Sequence, residues 1–119
     1  MKQQGMDAAG GVTGRVALVT GAGAADGIGF ATAKLLAAAG AKVALTSTTK
    51  RIFDRLKELP SADAMKAAFT ADLSAAEEAK GLIAAVKKRF GRLDILVNNA
   101  GMLQTGRANK SSPVERIGD

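Results

Sequence analysis

A glycine-rich turn stands between a short apolar run and an alanine-rich segment, and it leaves few folds open to this chain. Arg15-Val16-Ala17-Leu18-Val19-Thr20 is apolar and β-branched and stops at Gly21. Its length and punctuation predict a buried strand. Ile28 to Ala39 is rich in Ala and Leu and ends at Gly40, which predicts a helix with a glycine just past its end. Between the two lies Gly21-Ala22-Gly23-Ala24-Ala25-Asp26-Gly27. Glycines at a strand-to-helix turn let the backbone approach an anion closely. The helix start behind them offers unpaired N–H groups and the positive end of a dipole. A phosphate suits that arrangement, and a plain glycine-rich connection is the alternative.

The pattern then repeats. Lys42-Val43-Ala44-Leu45-Thr46 predicts a second strand, running into the hydroxyl cluster Ser47-Thr48-Thr49. Ile52, Leu56 and Leu59 recur at helical spacing, and Pro60 ends that helix. Ala67 to Ala71 predicts a third strand. Ser74 with Glu77 three residues on predicts a capping box. The helix it opens carries Leu82, Ile83, Val86 and Phe90 on one face and closes at Gly91. Leu93 to Val97 predicts a fourth strand, ending at Asn98-Asn99-Ala100-Gly101. From Met102 the pattern fails, with Ser111-Ser112-Pro113 as a breaker. The order β-α-β-α-β-α-β predicts the α/β class: a Rossmann-type, doubly wound parallel sheet, of which this would be the amino-terminal portion. Right-handed crossovers would bring the ends of strands one and four side by side, with a ligand crevice above them.

Composition excludes much chemistry. Among 119 residues there is no Cys, His, Trp or Tyr. A thiol nucleophile, a disulfide framework, a thiolate zinc site, a histidine base or ligand and a tyrosine acid are therefore all impossible here. No metal site is expected. The net charge of +6, from 17 Lys and Arg against 11 Asp and Glu, raises the question of nucleic acid. The basic residues are scattered, however, and the densest run is Lys87-Lys88-Arg89. Solvated helix faces are the better reading, and no nucleic-acid partner is expected. The start of the chain lacks the apolar run of a signal peptide, and no stretch is apolar enough for a membrane span. Cytoplasm and no membrane partner are the expectations.

Thr20-Gly21 with Gly27-Ile28-Gly29, then Asp72-Leu73, then Asn98-Asn99-Ala100-Gly101 resemble the motifs of the short-chain dehydrogenase/reductase family, in that family's order. The resemblance runs from about Val12 to Gly101. Within the family the 3-oxoacyl-[acyl-carrier-protein] reductases look nearest. One departure stands out. Five residues separate Gly21 from Gly27, where the family usually has three. Either the loop bulges by two residues, or Gly23 takes the first glycine's place. The longer spacing is similar to that of the enoyl-[acyl-carrier-protein] reductase branch, which usually lacks glycine where Gly27 and Gly29 stand.

The resemblance implies a domain plan: a flexible lead over 1–14, a dinucleotide-binding portion over 15–101, and a loop over 102–119 running toward a carboxy-terminal half. It also implies roles. Gly21 or Gly23, with Gly27, Ile28 and Gly29, would line the pyrophosphate and the helix start. Asp72 would accept from the adenine amino group with the Leu73 backbone beside it, the alternative being a strand-end cap before Ser74. Asn99 would lie near the cofactor ribose, Gly101 would complete that cofactor-binding element, and Asn98 would tie neighbouring strands. NAD-binding folds commonly carry an acidic residue at the end of strand two. Here Thr46 is followed by hydroxyls and then Lys50-Arg51, with no carboxylate before Asp54. These groups suit a 2′-phosphate, so NADP(H) is favoured over NAD(H). Asp26, just before Gly27, argues the other way, and a solvated first helical turn is the alternative for Lys50 and Arg51.

The family's catalytic tyrosine, the lysine four residues after it, the substrate serine and the relay asparagine would all lie beyond Asp119. No catalytic residue is assigned in this chain: Ser111 and Ser112 fall too early, Lys110 has no tyrosine to serve, and Asn109 follows Gly101 too closely. The resemblance therefore implies the amino-terminal part of an NADP(H)-dependent oxidoreductase. The whole enzyme would move a hydride between cofactor and a carbonyl or alcohol carbon, 3-oxoacyl thioesters among them. This chain alone is expected to bind cofactor weakly and not to turn over, with a small carbonyl or acyl substrate engaged only by a longer form. An uncovered edge at strand four would favour self-association. The alternative is a non-catalytic nucleotide-binding or regulatory module.

Overall fold

The computed structural model describes residues 11–99. Within them β1 (Val16–Val19), α1 (Ile28–Ala38), β2 (Lys42–Ser47), α2 (Ile52–Glu58), β3 (Lys66–Thr70), α3 (Ala76–Phe90) and β4 (Ile95–Val97) follow in order, with a 3₁₀ turn at Asp63–Met65 that the sequence pattern does not suggest. The strands form one sheet in the order β3-β2-β1-β4. Every pairing is parallel, with Val19 opposite Leu45 on one side and opposite Val97 on the other.

Every residue of β1 is buried, because a parallel sheet is covered on both faces. Alternate residues then serve opposite cores. Val19, Val43 and Leu45 pack with Phe30 and Ala33 of α1 and Ile52 of α2. Val16, Leu18 and Ala44 pack with Leu82 and Val86 of α3. Two helices therefore cover one face and one covers the other. The connection that changes face runs from β3 through α3 to β4. The strand order reverses between β1 and β4, which puts the switch point at the carboxyl ends of those two strands.

The helix ends follow local chemistry. α1 is mostly Ala and Leu, strong helix formers, and Gly40 beyond it takes φ +94°. α3 begins with Glu77 and Glu78, ends with Lys87, Lys88 and Arg89, and closes on Gly91 at φ +86°, so its charges complement the helix dipole. The capping box expected at Ser74 and Glu77 does not form. The Ser74 hydroxyl donates to Asp72 Oδ1 at 2.6 Å, and the Ser74 N–H donates to the same oxygen at 3.0 Å. Glu78 instead reaches back and accepts from the Asp72 N–H at 2.7 Å. Two residues from an aspartate, a serine meets a ready local acceptor that competes with the cap.

Thr13 and Gly14, just ahead of β1, hydrogen-bond to the segment after α1. Gly14 N–H donates to Gly40 O at 2.9 Å, and the Thr13 hydroxyl donates to Ala39 O at 3.2 Å. Two charged side chains then fasten element ends. Lys66 Nζ donates to Leu56 O and Leu59 O, at 2.9 and 3.0 Å, and so caps α2. The Asp94 carboxylate accepts from Val16 N–H at 2.9 Å and pairs with Arg92 at 2.8 Å, closing the start of the β1–β4 ladder. At the far side of β4, Leu96 is 56% exposed, and no described strand lies beyond it.

Candidate cofactor site

A cleft of about 740 Å³ lies at the carboxyl ends of the strands, the position expected of a ligand in an open parallel sheet. Its walls come from the glycine-rich loop, from the ends of β2 and β3 and from Asn98 and Asn99 after β4. Nine of the sequence-predicted residues stand on those walls: Gly21, Gly23, Gly27, Ile28, Thr46, Arg51, Asp72, Leu73 and Asn99. Lys50 and Gly29 do not, and Gly101 lies outside the described residues.

The loop resolves the question of its extra length. Gly21, two residues past the end of β1, takes φ +66°, a conformation that suits glycine, so it keeps the first turn position. The surplus is taken up further on. Ala22 N–H donates to Thr46 O and Gly27 N–H donates to Ala24 O, both at 3.1 Å. The loop thus bulges rather than shifting its first glycine to Gly23. Gly23 has a separate reason to be glycine. A Cβ there would stand 3.0 Å from Arg51 Nε and 3.1 Å from Ser47 Oγ. Gly27 then serves as the extended N-cap of α1, and Ile28 opens the helix with 66% of its surface exposed. The first intrahelical bond runs from Ala31 N–H to Gly27 O, at 3.1 Å. The amides ahead of it have no acceptor in the helix and are the natural seat of an anion.

Gly29 lies beneath the loop. A Cβ on it would come within 2.8 Å of Gly21 O and 3.0 Å of Asn99 Nδ2. Its role is close helix–strand packing, not contact with the cleft. Asn99 works at the same spot: its side-chain amide donates to Gly21 O at 3.3 Å and its backbone N–H donates to the Thr20 hydroxyl at 2.9 Å. The Thr20 hydroxyl also lies 3.1 Å from Asn98 Oδ1. Both asparagines therefore tie β4 to β1 while bordering the cleft. Thr20 is the pin between them, and the sequence reading did not single it out as a site residue. Its place at the last position of an apolar strand before Gly21 is the signal that was there to read.

At the end of β2 the wall holds Thr46, Ser47, Thr48 and Arg51. The Thr46 hydroxyl is not a donor to a ligand, since it donates to Phe69 O at 2.8 Å and Thr46 is buried. The Ser47 hydroxyl donates to Thr49 O at 2.9 Å. Arg51 is thus the cation of this corner. Lys50, one residue earlier in the turn that leads into α2, is absent from the wall. Asp26 supplies a carboxylate to the same cleft. At the end of β3, hydrogen bonds from the Ser74 hydroxyl and then its N–H hold Asp72 below the usual carboxylate range. Asp72 is therefore an anionic acceptor beside Leu73 at neutral pH. Asp72 thus binds Ser74 in the turn after β3 and also lines the cleft.

A volume of this order takes a cofactor-sized ligand, and the walls offer a backbone anion seat, a cation and two carboxylates. Among the described residues there is no cluster able to hold a metal ion, and no helix is long and apolar enough to cross a membrane.

Comparison with known proteins agrees with this geometry. The family model for short chain dehydrogenase matches residues 15–117. An uncharacterized oxidoreductase of Methylorubrum extorquens is 46% identical over 93 residues, which is 76% of this chain and 37% of that protein. The crystal structure of an actinorhodin polyketide ketoreductase variant with NADPH superposes with a TM-score of 0.67 at 39% identity, over 73% of this chain and 33% of that one. The 3-ketoacyl-(acyl-carrier-protein) reductase from Brucella melitensis, complexed with NADH, gives a TM-score of 0.65 at 35% identity, over 71% of this chain and 34% of that one. The chain thus spans about a third of the length of these relatives. With a parallel sheet wound this way, a glycine-rich turn seated on Gly21 and Gly29, and a family match over most of its length, the chain belongs to the short-chain dehydrogenase family.

Proposed function

We propose that this chain supplies the cofactor-binding part of an NADP(H)-dependent oxidoreductase that moves a hydride between cofactor and a carbonyl or alcohol carbon. The observation that carries the cofactor choice is the corner at the end of β2. Arg51 stands on the cleft wall there beside Ser47 and Thr48, and that stretch of wall holds no carboxylate. A guanidinium suits a phosphate through charge-assisted hydrogen bonds. A ribose 2′-hydroxyl would instead favour an acidic partner at this strand end. The rest of the assignment follows the walls. The loop and the start of α1 would take the pyrophosphate, and Asp72 with Leu73 would take the adenine.

The relatives with bound cofactor include both an NADPH and an NADH complex, so the choice rests on this chain's own residues. The 3-ketoacyl and polyketide ketoreductase neighbours support a 3-oxoacyl thioester as the substrate class. Catalysis would need residues beyond these 119, since none of them is a tyrosine. The chain alone should bind cofactor and give no turnover. We place the protein in the cytoplasm.

Titration of the purified chain with NADPH and NADH tests the assignment. Arg51→Ala should weaken NADPH by about tenfold or more, one charged hydrogen-bonding partner's worth, and leave NADH nearly unchanged. Lys50→Ala should affect the two cofactors little. Equal losses of NADPH and NADH in Arg51→Ala would sink the assignment.

A further inference from the structure

We infer that Arg55 is a positioning residue for cofactor choice: it holds the lengthened glycine loop at Gly23, and through that residue keeps Arg51 in place on the cleft wall. The inference rests on the reading of Arg51 given above. Arg51 is the N-cap of α2 and Arg55 lies one turn further along the same helix face. Arg51 borders the cleft and Arg55 does not. Arg55 turns to the back of the loop, where one of its terminal N–H groups donates to Gly23 O at 3.4 Å.

The rest of the Arg55 side chain is confined. Its other terminal nitrogen pairs with Glu58 at 2.7 Å, and the side chain is only 14% exposed. The guanidinium lies 5.9 Å from the centroid of the Phe30 ring on α1, within cation–π range. Its Nε is buried without a hydrogen-bond partner, an unfavourable position for a polar group. One side chain therefore links the loop, α1 and α2 while leaving one of its own groups unsatisfied.

Gly23 is gripped from two sides. Arg55 holds its carbonyl, while Arg51 Nε and the Ser47 side chain close over its α-carbon, within 3.0–3.1 Å of where a Cβ would stand. A loop with five residues between its first two motif glycines has slack that a shorter one lacks. Movement of Gly23 by a few tenths of an ångström would change the space left to Arg51. Arg55 removes that slack without touching the ligand itself.

The test compares the 119-residue chain with Arg51→Ala, Arg55→Met, Arg55→Lys and Gly23→Ala, titrated with NADPH and with NADH by cofactor fluorescence. A circular-dichroism melt of each variant accompanies the titrations. Arg55→Met keeps an apolar stem against Phe30 but cannot hold the carbonyl. It should weaken NADPH about fivefold, the effect of one hydrogen bond, while NADH changes less than twofold. Arg55→Lys, still a donor, should recover most of the loss. Gly23→Ala should reproduce it by pressing on Arg51, which keeps the test open if Arg55→Met fails to fold. Equal weakening of both cofactors in Arg55→Met and Gly23→Ala would reduce Arg55 to a structural role and overturn the inference. So would loss of NADPH preference in Arg51→Ala alone, and in that case the reading of Arg51 survives. A wild-type chain that binds both cofactors alike, unchanged by Arg51→Ala, would instead overturn the 2′-phosphate reading and this inference with it.

Discussion

Gly29→Ala and Gly81→Ala are the same chemical change in two helices, and the structure predicts opposite signs. Alanine has the higher helix propensity, by about 1 kcal/mol over glycine in a helix interior. At Gly81, exposed on α3, a Cβ would meet nothing within 4 Å, so most of that gain should be realised. At Gly29 the new methyl would lie 2.8 Å from Gly21 O, 3.0 Å from Asn99 Nδ2 and 3.2 Å from Ala22 Cα. Two of those three atoms are backbone and cannot swing aside. Overpacking of this kind costs about 1–3 kcal/mol, and loss of the Asn99-to-Gly21 hydrogen bond adds roughly 1 kcal/mol. After the propensity gain is subtracted, Gly29→Ala should destabilise by about 1–3 kcal/mol, while Gly81→Ala should stabilise by up to about 1 kcal/mol. For a unit of this size each kcal/mol moves the midpoint by roughly 4–8 °C. Thermal melts of the two variants beside the parent chain would therefore diverge on either side of it. A Gly29→Ala chain that melts with the parent and binds NADPH equally well would refute the close helix–strand packing on which the site geometry rests.

Two further outcomes are expected. Hydrogen bonds from Ser74 lower the Asp72 pKa, and hydrogen bonds from Arg92 and then from Val16 N–H lower that of Asp94. A carboxyl whose folded pKa lies below its unfolded value contributes stability above the unfolded value and loses it as pH falls through the folded one. The urea midpoint should hold steady from pH 7 to about 5 and fall as the pH drops below the ordinary carboxylate value of 3.8, and Asp94→Asn should flatten that fall; a midpoint that rises on acidification would contradict the sign. Self-association is the other: among the described residues β4 is the outermost strand on its side of the sheet and Leu96 is exposed, and an apolar edge invites pairing with another chain. Leu96→Lys should lower the weight-average mass seen by sedimentation at high concentration, and an unchanged distribution would place any association elsewhere.

Most of the sheet was legible in the sequence because its signals are local. A buried parallel strand reads as a short apolar run, and glycine or proline marks where elements stop, as at Gly21 after β1, Gly40 after α1 and Pro60 after α2. The strand limits differ by a residue or two: the expected Leu93–Val97 is Ile95–Val97 in the structure, because pairing with β1 and not apolarity decides where the ladder begins. Nine of the named residues border one cleft although they come from four separate stretches of chain. The errors share one physical cause. Thr46 carries a hydroxyl that sequence reasoning aimed at a ligand, and the neighbouring strand takes it through Phe69 O. Ser74 matches a capping pattern, and Asp72 competes for it at closer range. Lys50 and Arg51 are equivalent as letters, and the helix start sends only one of them to the cleft.

The class of the fold, its parallel winding and a glycine-rich turn between the first strand and the first helix could be read from the sequence alone. Those depend on residue type and spacing along neighbouring stretches of chain. The use of each polar group became clear in the folded molecule. It showed that Gly21 keeps the turn while the extra residues bulge beyond it. It also showed that Gly29 is small to clear Gly21 O and Asn99, and that Arg55 reaches Gly23 across 32 positions of sequence. Hydrogen bonds and close contacts act at about 3 Å, and which atoms come that near depends on how the helices settle on the sheet.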